Sequence, residues 1–458
     1  TVTAGGSTTI NVTLEDDATA LDEVVVQAFG TAKKKDLTGA VSSIDSKLIS
    51  SQSNSTLSRA LEGAIPGLQV ASIDGQPGVD MGIRVRGIGS GTQNNSDALI
   101  VIDGVPNTNS NALSSLNPKD IESITVLKDA ASTALWGSRG ANGVVMVTTK
   151  KGQQGRAKVT FEGRWGINQQ GPFTYEKIDD PASLYEWAWQ SIYNTARFYG
   201  GKDFTTNVKN PNMSHEEAAL FASQHLFDAP ALGKTSGFAQ NSLGNYMLYN
   251  VPGAKYISTG SGSSASSTMT GAYLIDPMTG KLNPNAELLY WDPWDGHFLQ
   301  NRFRQEYNVS VSGATDKTDY FISAGYLEDP SYIQGSSFNR YNVRSNINSQ
   351  ITKWLKAGIN MAYSRRAVQS PATRYGRNPG SAVANVFRWV NGQSALIPLF
   401  QRNADGSYIL DAAGNKQYTS AAEQNGSVVG PTGGPTSTAN LDYILNHDKD
   451  ETISNDIN

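Results

Sequence analysis

The stretch that decides the fold is Ala98–Lys150, which reads ALIVIDGVPNTNSNALSSLNPKDIESITVLKDAASTALWGSRGANGVVMVTTK. It opens with the apolar run Ala98–Ile102, which has the length of a buried strand and is closed by the pair Asp103-Gly104. Two more β-rich runs follow at Ile121–Leu127 and Gly143–Thr149. The stretch therefore contains at least three short strands.

Helix signals lie between these strands. Pro118 stands where a first-turn proline opens a short helix. Asp129 can cap a short Ala-rich helix over Ala130–Trp136, which Gly137 stops. We predict a compact α+β unit that is too small to be a whole enzyme.

Composition narrows the class of protein. The 458 residues leave room for two or three domains, and the net charge of −4 argues against nucleic acid as a partner. Low charge with 19 Tyr and 8 Trp is typical of a β-rich extracytoplasmic protein. The chain lacks cysteine, so disulfides and thiolate metal sites are excluded. The four histidines are scattered, and we predict no metal, cofactor or catalytic residue.

From Lys158 onward, apolar and polar residues alternate almost strictly. Five runs show one apolar and one polar face, at 158–167, 306–312, 319–326, 340–349 and 354–364. Short and long connections alternate between them, as in transmembrane β-barrels with short periplasmic turns and large outer loops. The alternative is a soluble β-sandwich. Arg and Asn at every second place favour the barrel, with 168–305 and 365–458 as long extracellular loops.

Aromatic residues fall near the ends of these runs, as expected for the headgroup layers of a membrane. We place one girdle toward the outer rim and one toward the periplasmic rim. The outer girdle comprises Trp165, Tyr307, Tyr326, Tyr341 and Tyr363, and the inner one Tyr320 and Trp354.

Three other segments carry possible chemistry. The Gly-rich segment 87–91 follows a strand, but neither a helix nor a Lys-Ser/Thr pair follows it, so nucleotide binding is disfavoured. Trp291-Asp-Pro-Trp-Asp295 pairs tryptophans with carboxylates, which suits packing at the rim or contact with a sugar through Trp291 and Trp294. Leu21–Val26 is a strand that either pairs within its own domain or adds to the sheet edge of another protein.

Several of these motifs resemble the SusC/RagA family, TonB-dependent outer-membrane transporters of the Bacteroidetes type. The motifs are LDEVVVQAFGTAKKKDLTGAVSSI (21–44), ALEGAIPGLQV (60–70), IRVRGIGS (83–90), LIVIDGVP (99–106), LNPKDIESITVLKDAASTALWGSRGANGVVMVTTKKG (116–152), NVSVSGATDKTDYFISAGYL (308–327) and FNRYNVRSNINSQITKWLKAGIN (338–360). The resemblance covers about residues 1–365.

The resemblance implies a domain order. Residues 1–20 resemble the end of a carboxypeptidase regulatory-like β-sandwich, and residues 21–35 the TonB-box region. Residues 36–155 resemble the plug, and residues 156–458 the first part of a 22-strand barrel. Five or six strands cannot enclose such a plug. We therefore expect the sequence to be part of a longer protein with a processed or truncated start.

The resemblance also implies a mechanism and partners. TonB, with ExbB and ExbD, would pull on the TonB box and remodel the plug, and a SusD-like lipoprotein would cover the outer face. The TonB-box candidates are Asp22, Glu23, Val24, Val25 and Val26. The candidates for breakable polar contacts of the plug are Arg84, Arg86, Asp103, Lys128, Asp129 and Arg139, with simple solvation of the plug surface as the alternative.

Function is expected to be import across the outer membrane rather than catalysis. An oligosaccharide is the first expectation for the cargo, and an oligopeptide is the second. A surface adhesin or lectin-like β-protein is the alternative from another class, but an adhesin has no use for a plug. A hydrolase in the outer loops would need a convergent acid pair that the sequence does not reveal.

Overall fold

The computed structural model describes residues 24–27, 30–33, 41–71, 76–87, 96–107, 112–171, 178, 180–199, 213–228, 248–259, 266–371, 396, 398–403, 405–418 and 449–457. Across these residues, no helix combines the length and the apolar character that crossing a membrane requires. The segment 1–20 and the TonB-box candidates Asp22 and Glu23 lie outside the described residues.

In the N-terminal part, the described residues form short strands, α-helices and 3-10 helices. The strands are β1 Val24–Gln27, β2 Gly30–Lys33, β3 Val41–Asp45, β4 Leu68–Ala71, β5 Gly82–Val85, β6 Leu99–Ile102, β7 Val105–Asn107, β8 Ile121–Leu127 and β9 Val144–Thr149. The α-helices are α1 Ser46–Ser51, α2 Leu57–Ala60, α3 Ala112–Ser115 and α4 Ala130–Thr133. The 3-10 helices are Pro118–Asp120 and Ala134–Gly140, the latter broken at Gly137.

The α+β unit predicted over 98–150 is part of a larger one, which the described residues between 41 and 149 form. Its main sheet has the order β3-β8-β9-β6-β7, in which β6 and β9 are parallel and the other pairs antiparallel. The buried valines and isoleucines of β8 and β9 pack against α2, where Leu57 and Leu61 are fully buried. Helix α2 is only one turn long because turns through 61–64 follow it.

Strands β1 and β2 pair with each other in an antiparallel hairpin, with Val24 opposite Lys33 and Gln27 opposite Gly30. In this hairpin, Val24–Val26, the described part of the predicted strand Leu21–Val26, pairs through its main chain with another segment of the same chain.

The insert between β10 (Gly155–Asn168) and β15 (Arg302–Ala314) packs around a second apolar core, to which Leu396 and Leu399 also contribute. It contains α5 Pro181–Asn194, α6 His215–Gln224, α7 Trp294–Phe298, β11 Tyr249–Asn250, β12 Ala254–Thr259, β13 Ser266–Gly271 and β14 Glu287–Leu288, with a π-helix at Thr195–Tyr199 and a 3-10 helix at Leu226–Asp228. Helix α6 begins with a capping box: Ser214 Oγ accepts from Glu217 N, and the Glu217 carboxylate accepts from Ser214 N.

The predicted alternating runs form one antiparallel sheet, which we call the long sheet. Its order is β10-β15-β16-β17-β18-β19, with β16 at Thr318–Pro330, β17 at Ser337–Gln350, β18 at Lys356–Pro371 and β19 at Lys449–Ile457. The alternation predicts a fifth run that ends at 364, followed by 365–458 as one long loop. In the structure, β18 continues to Pro371 and the sixth strand, β19, returns beside it.

The two faces of the long sheet differ as the alternation predicts. On the outer face, Val159 and Phe161 are 70% and 67% exposed. On the inner face, Arg340 is 1% exposed, because that face lies against the α+β unit. The polar face is therefore the covered one and the apolar face is open, which is the reverse of a soluble β-sandwich.

Candidate functional site

The candidate site is the interface between the α+β unit and the inner face of the long sheet. Strand β17 contributes most of the described contacts, because its even-numbered residues from 338 to 346 all point inward and are buried. Polar residues at every second place thus meet the polar groups of the α+β unit. The sequence had shown this polar face but not its partner.

Arg340 is buried in this interface and donates hydrogen bonds to main-chain oxygens of the α+β unit. Its Nη1 atom donates to the carbonyls of Ser55 at 3.0 Å, Leu116 at 2.9 Å and Ser114 at 3.4 Å. One guanidinium thus joins the segment before α2 to the end of α3. Because the last carbonyls of a helix have no partner within it, they are available to such a donor.

Arg366 of β18 reaches the same place on the α+β unit. Its Nη1 donates to Ser114 Oγ, and its Nε and Nη2 donate to Asp456 Oδ2 at 3.0 and 2.8 Å. Asp456 belongs to β19, so one guanidinium connects the α+β unit with two strands of the long sheet.

A second set of contacts lies nearer the short turns of the long sheet. Arg344 is 3.6 Å from Asp103 Oδ2 and 3.9 Å from Asp120 Oδ2. Burial raises the pKa of Asp120, and the nearby arginines oppose that rise. Asn346 Nδ2 donates to Thr149 Oγ1 at 2.9 Å and to the Lys150 carbonyl at 2.8 Å, which fixes the end of β9.

A third set joins the α+β unit to β10. Lys119 Nζ donates to Glu162 Oε1 at 2.6 Å and to the Ser50 carbonyl at 2.9 Å. Arg164 also binds Glu162, at 2.7 Å, and the carbonyls of Ser50 and Gln52. Burial lowers the pKa of Lys119, which Glu162 opposes.

Gly325 leaves room for a cluster of amides between these sets. It lies between Asn308 of β15 and Asn342 of β17 in the register of the sheet. Asn117 of the α+β unit donates to Asn308 Oδ1 at 2.6 Å. A Cβ atom at Gly325 would come within 2.6 Å of the Asn342 amide and 2.7 Å of the other two. Glycine is thus required here for close packing.

Asp80 is, like Asp120, a carboxyl of the α+β unit whose pKa is raised by burial. Its Oδ1 accepts from Ser58 Oγ at 3.1 Å and its Oδ2 from Ser114 N at 2.7 Å. Burial raises its pKa from 3.8 to about 6, against the opposing effect of these hydrogen bonds and of Arg366.

We predict that Asp80→Asn makes the stability of this region less dependent on pH. Because the folded state holds the Asp80 proton more tightly, the penalty for ionisation is absent below pH 3.8 and complete above about pH 6. The difference in unfolding free energy between the variant and the parent should rise over that window by at most roughly 3 kcal/mol. Urea unfolding at a series of pH values measures it. Asp45→Asn, at an exposed helix cap, is the control, and an equal slope in both variants contradicts the prediction.

The plug residues predicted to form breakable polar contacts do not all have their partners on the same surface. Asp103 reaches the long sheet through Arg344. The others contact the α+β unit or solvent. Arg84 pairs with Asp97 at 3.5 Å, and Lys128 Nζ donates to Ser42 Oγ at 2.6 Å. Asp129 caps α4, Arg86 is exposed with φ 61°, and Arg139 is exposed.

The other candidates lie in the hairpin and the insert. Val24, Val25 and Val26 lie in β1 and pair with β2. Trp291 is 38% exposed, and Trp294 begins α7, although its side chain lies outside the described residues. Between them, Asp292 accepts from Arg402 at 2.7 Å and from Leu399 N at 3.1 Å. This use of the carboxylate supports packing at the rim.

The outer face carries a row of aromatic rings at one level. Tyr307, Tyr326 and Tyr341 stand opposite one another in the register of β15, β16 and β17, with ring centroids 6.4 and 4.8 Å apart. Trp165 Nε1 donates to the Tyr307 hydroxyl at 2.9 Å and extends the row to β10. This arrangement has the form of an interfacial girdle.

A metal centre has no support in the described part of the chain, where no three His, Asp or Glu side chains are grouped to hold an ion. His215 bonds the Tyr193 hydroxyl at 2.7 Å, and His225 stacks on Phe221 with centroids 4.2 Å apart. Both rings are therefore part of the packing of the insert. His447 lies outside the described residues.

Comparison with known proteins identifies the family that the α+β unit matches. Residues 33–144 match the TonB-dependent receptor plug domain. TonB-dependent receptor P26 of Formosa agariphila is 31% identical over 411 residues, covering 89% of this chain and 31% of that protein. TonB-dependent receptor SusC of Bacteroides thetaiotaomicron is 47% identical over 161 residues, covering 34% of this chain and 16% of that protein.

The fold is also similar to that of a solved structure, the RagAB peptide importer in its closed-closed state. The identity is 23% and the TM-score 0.53, over 84% of this chain and 36% of that one. The chain spans about a third of the length of the first curated relatives that it matches. The α+β unit is therefore a TonB-dependent receptor plug domain, and the chain has homologues among the TonB-dependent receptors of the SusC/RagA type.

Proposed function

We propose that the protein to which this chain belongs imports a large nutrient across the outer membrane, through a barrel that the plug closes and that TonB opens. TonB-dependent receptors are outer-membrane transporters rather than enzymes. The observation that carries the proposal is the plug lying against the polar inner face of the long sheet. Contacts of this kind with several strands are expected for a plug inside a barrel.

The long sheet supports the membrane part of the proposal. Its outer face is apolar and ends in the row of aromatic rings, so lipid is the solvent that suits it. We propose that the sheet is the beginning of a closed barrel and that TonB, with ExbB and ExbD, supplies the energy. A SusD-like lipoprotein is the proposed partner at the outer surface, because the chain resembles proteins of the SusC and RagA type.

The proposed cargo is an oligosaccharide, and an oligopeptide is the second candidate. The first candidate is the cargo that the resemblance to the SusC/RagA family implies. The similarity to RagAB, described as a peptide importer, goes with the second, although at this identity it concerns the fold alone. Neither the outer aromatic Trp291 nor the packing of Asp292 separates the two classes.

Uptake by intact cells tests the proposal. Cells that lack the gene, cells that carry it and TonB-deficient cells are given fluorescent oligosaccharides and oligopeptides of porin-excluded size. We expect oligosaccharide uptake to fall to background in the first and third strains. Loss of peptide uptake instead would favour the second candidate. Uptake that continues without TonB would refute energised import.

A further inference from the structure

Ser114, at the end of plug helix α3, is the point where three interactions meet. Its amide donates to Asp80 Oδ2 at 2.7 Å, its carbonyl accepts from Arg340 at 3.4 Å, and its hydroxyl accepts from Arg366. The residue is fully buried. Each of its polar groups thus has a partner, and two of the three partners belong to the long sheet.

We propose that Arg340 and Arg366 form a latch that holds the plug shut when TonB exerts no force. This deepens the proposed function and rests on it. Arg340 binds carbonyls of two plug segments, at Ser55 and at Leu116, so its loss would free both at once. A buried guanidinium and the carbonyls that it satisfies are costly to separate, because neither finds water where it lies.

Arg366, the second arginine of the latch, also binds a neighbouring strand of the long sheet. Arg366 is fixed by Asp456 of β19, so the plug segment and two neighbouring strands share one charged group. The Asp80 carboxylate extends the connection from Ser114 to Ser58 of α2. The latch therefore joins elements that are separate in the plug sequence.

The latch lies toward the long-loop end of the sheet. Next to it, Gln76 Nε2 donates to the Gln369 carbonyl at 3.2 Å, and Gly78 lies so close to the Phe338 ring that a Cβ atom would overlap it. Gln369 is near the end of β18 that leads into the long connection 372–448, and Phe338 is paired with its neighbour Val368. A latch here closes the pathway on the side from which cargo arrives.

The test compares Arg340→Gln and Arg366→Gln with Arg365→Gln in the full-length protein. Arg365 neighbours Arg366 but is exposed on the outer face, which makes it a matched control. In TonB-deficient cells, the two latch variants should admit a hydrophilic antibiotic too large for porins. Amide hydrogen exchange at 112–116 should quicken by roughly 100-fold, while the control behaves like the parent.

Equal exchange and equal leakage in all three variants would overturn the latch. If Arg340→Gln fails to fold, Ser114→Ala decides, because it removes the hydroxyl that Arg366 binds and should quicken exchange by roughly fivefold. Unchanged exchange in that variant would also count against the latch. Neither readout depends on uptake, so a failure of the import proposal would appear separately, as parent cells that take up no cargo.

Discussion

Deletion of Asp22–Val26 is expected to abolish uptake and to leave binding of the cargo at the cell surface intact. The proposed import needs a mechanical connection between the plug and TonB, and this segment is the proposed attachment point. Its described part, Val24–Val26, pairs with β2 in the structure and so already has the extended form that strand addition requires. Pairing with TonB would replace β2 by a strand of the partner.

Two point variants distinguish the role of the extended main chain from the role of the side chains. Val25→Pro removes a main-chain donor and should reduce uptake nearly as far as the deletion does. Val25→Thr keeps a β-branched residue and should retain most of the uptake. Labelled cargo measures both quantities, as total binding at 4 °C and as internal label at growth temperature. Uptake at the original rate in the deletion variant would reject the pulling model.

The strands of the long sheet could be predicted because their physical cause is local. Side chains alternate between the two faces of a strand, so a sheet with lipid on one side and a polar plug on the other must alternate as well. Tyr341 and Val343 on the outer face and Arg340 and Arg344 on the inner face follow from this rule alone.

Strand β19 escaped prediction because its sequence lacks that contrast. Lys449–Ile457 reads KDETISNDI, with only Ile453 and Ile457 as large apolar residues. Its place follows from pairing with β18 and from the ion pair between Asp456 and Arg366. Both are long-range contacts, and a window along the sequence does not contain them.

The interface partners were missed for a different reason. Arg340 binds main-chain carbonyls, a group that every residue carries, so no acceptor stands out in the sequence. The charged plug residues that sequence analysis chose bind mostly within the plug, as Arg84 does with Asp97 and Lys128 with Ser42. A charge in the sequence shows that a partner is needed, but not on which surface it lies.

The link between the plug and β10 makes a further large effect testable. A Cβ atom at Gly152 would come within 2.5 Å of Tyr320 N and 2.7 Å of Tyr320 O, and it would also overlap the Gly313 carbonyl. All of these atoms are main chain in two hydrogen-bonded strands, so no side-chain rotation relieves the overlap. We expect Gly152→Ala to destabilise the folded protein by about 3 kcal/mol.

Gly166→Ala is the matched control, since a Cβ atom at that position of β10 meets nothing within 4 Å. The temperature at which the full-length protein in detergent loses its compact band on an unheated gel should fall for Gly152→Ala and stay unchanged for the control. Equal melting of the two variants would show that the link can move. A link held this tightly, together with Asn346 on the Lys150 carbonyl, gives the plug a fixed C-terminal end. Force applied at Val24–Val26 would then act against an immobile point and deform the plug instead of pulling it out whole.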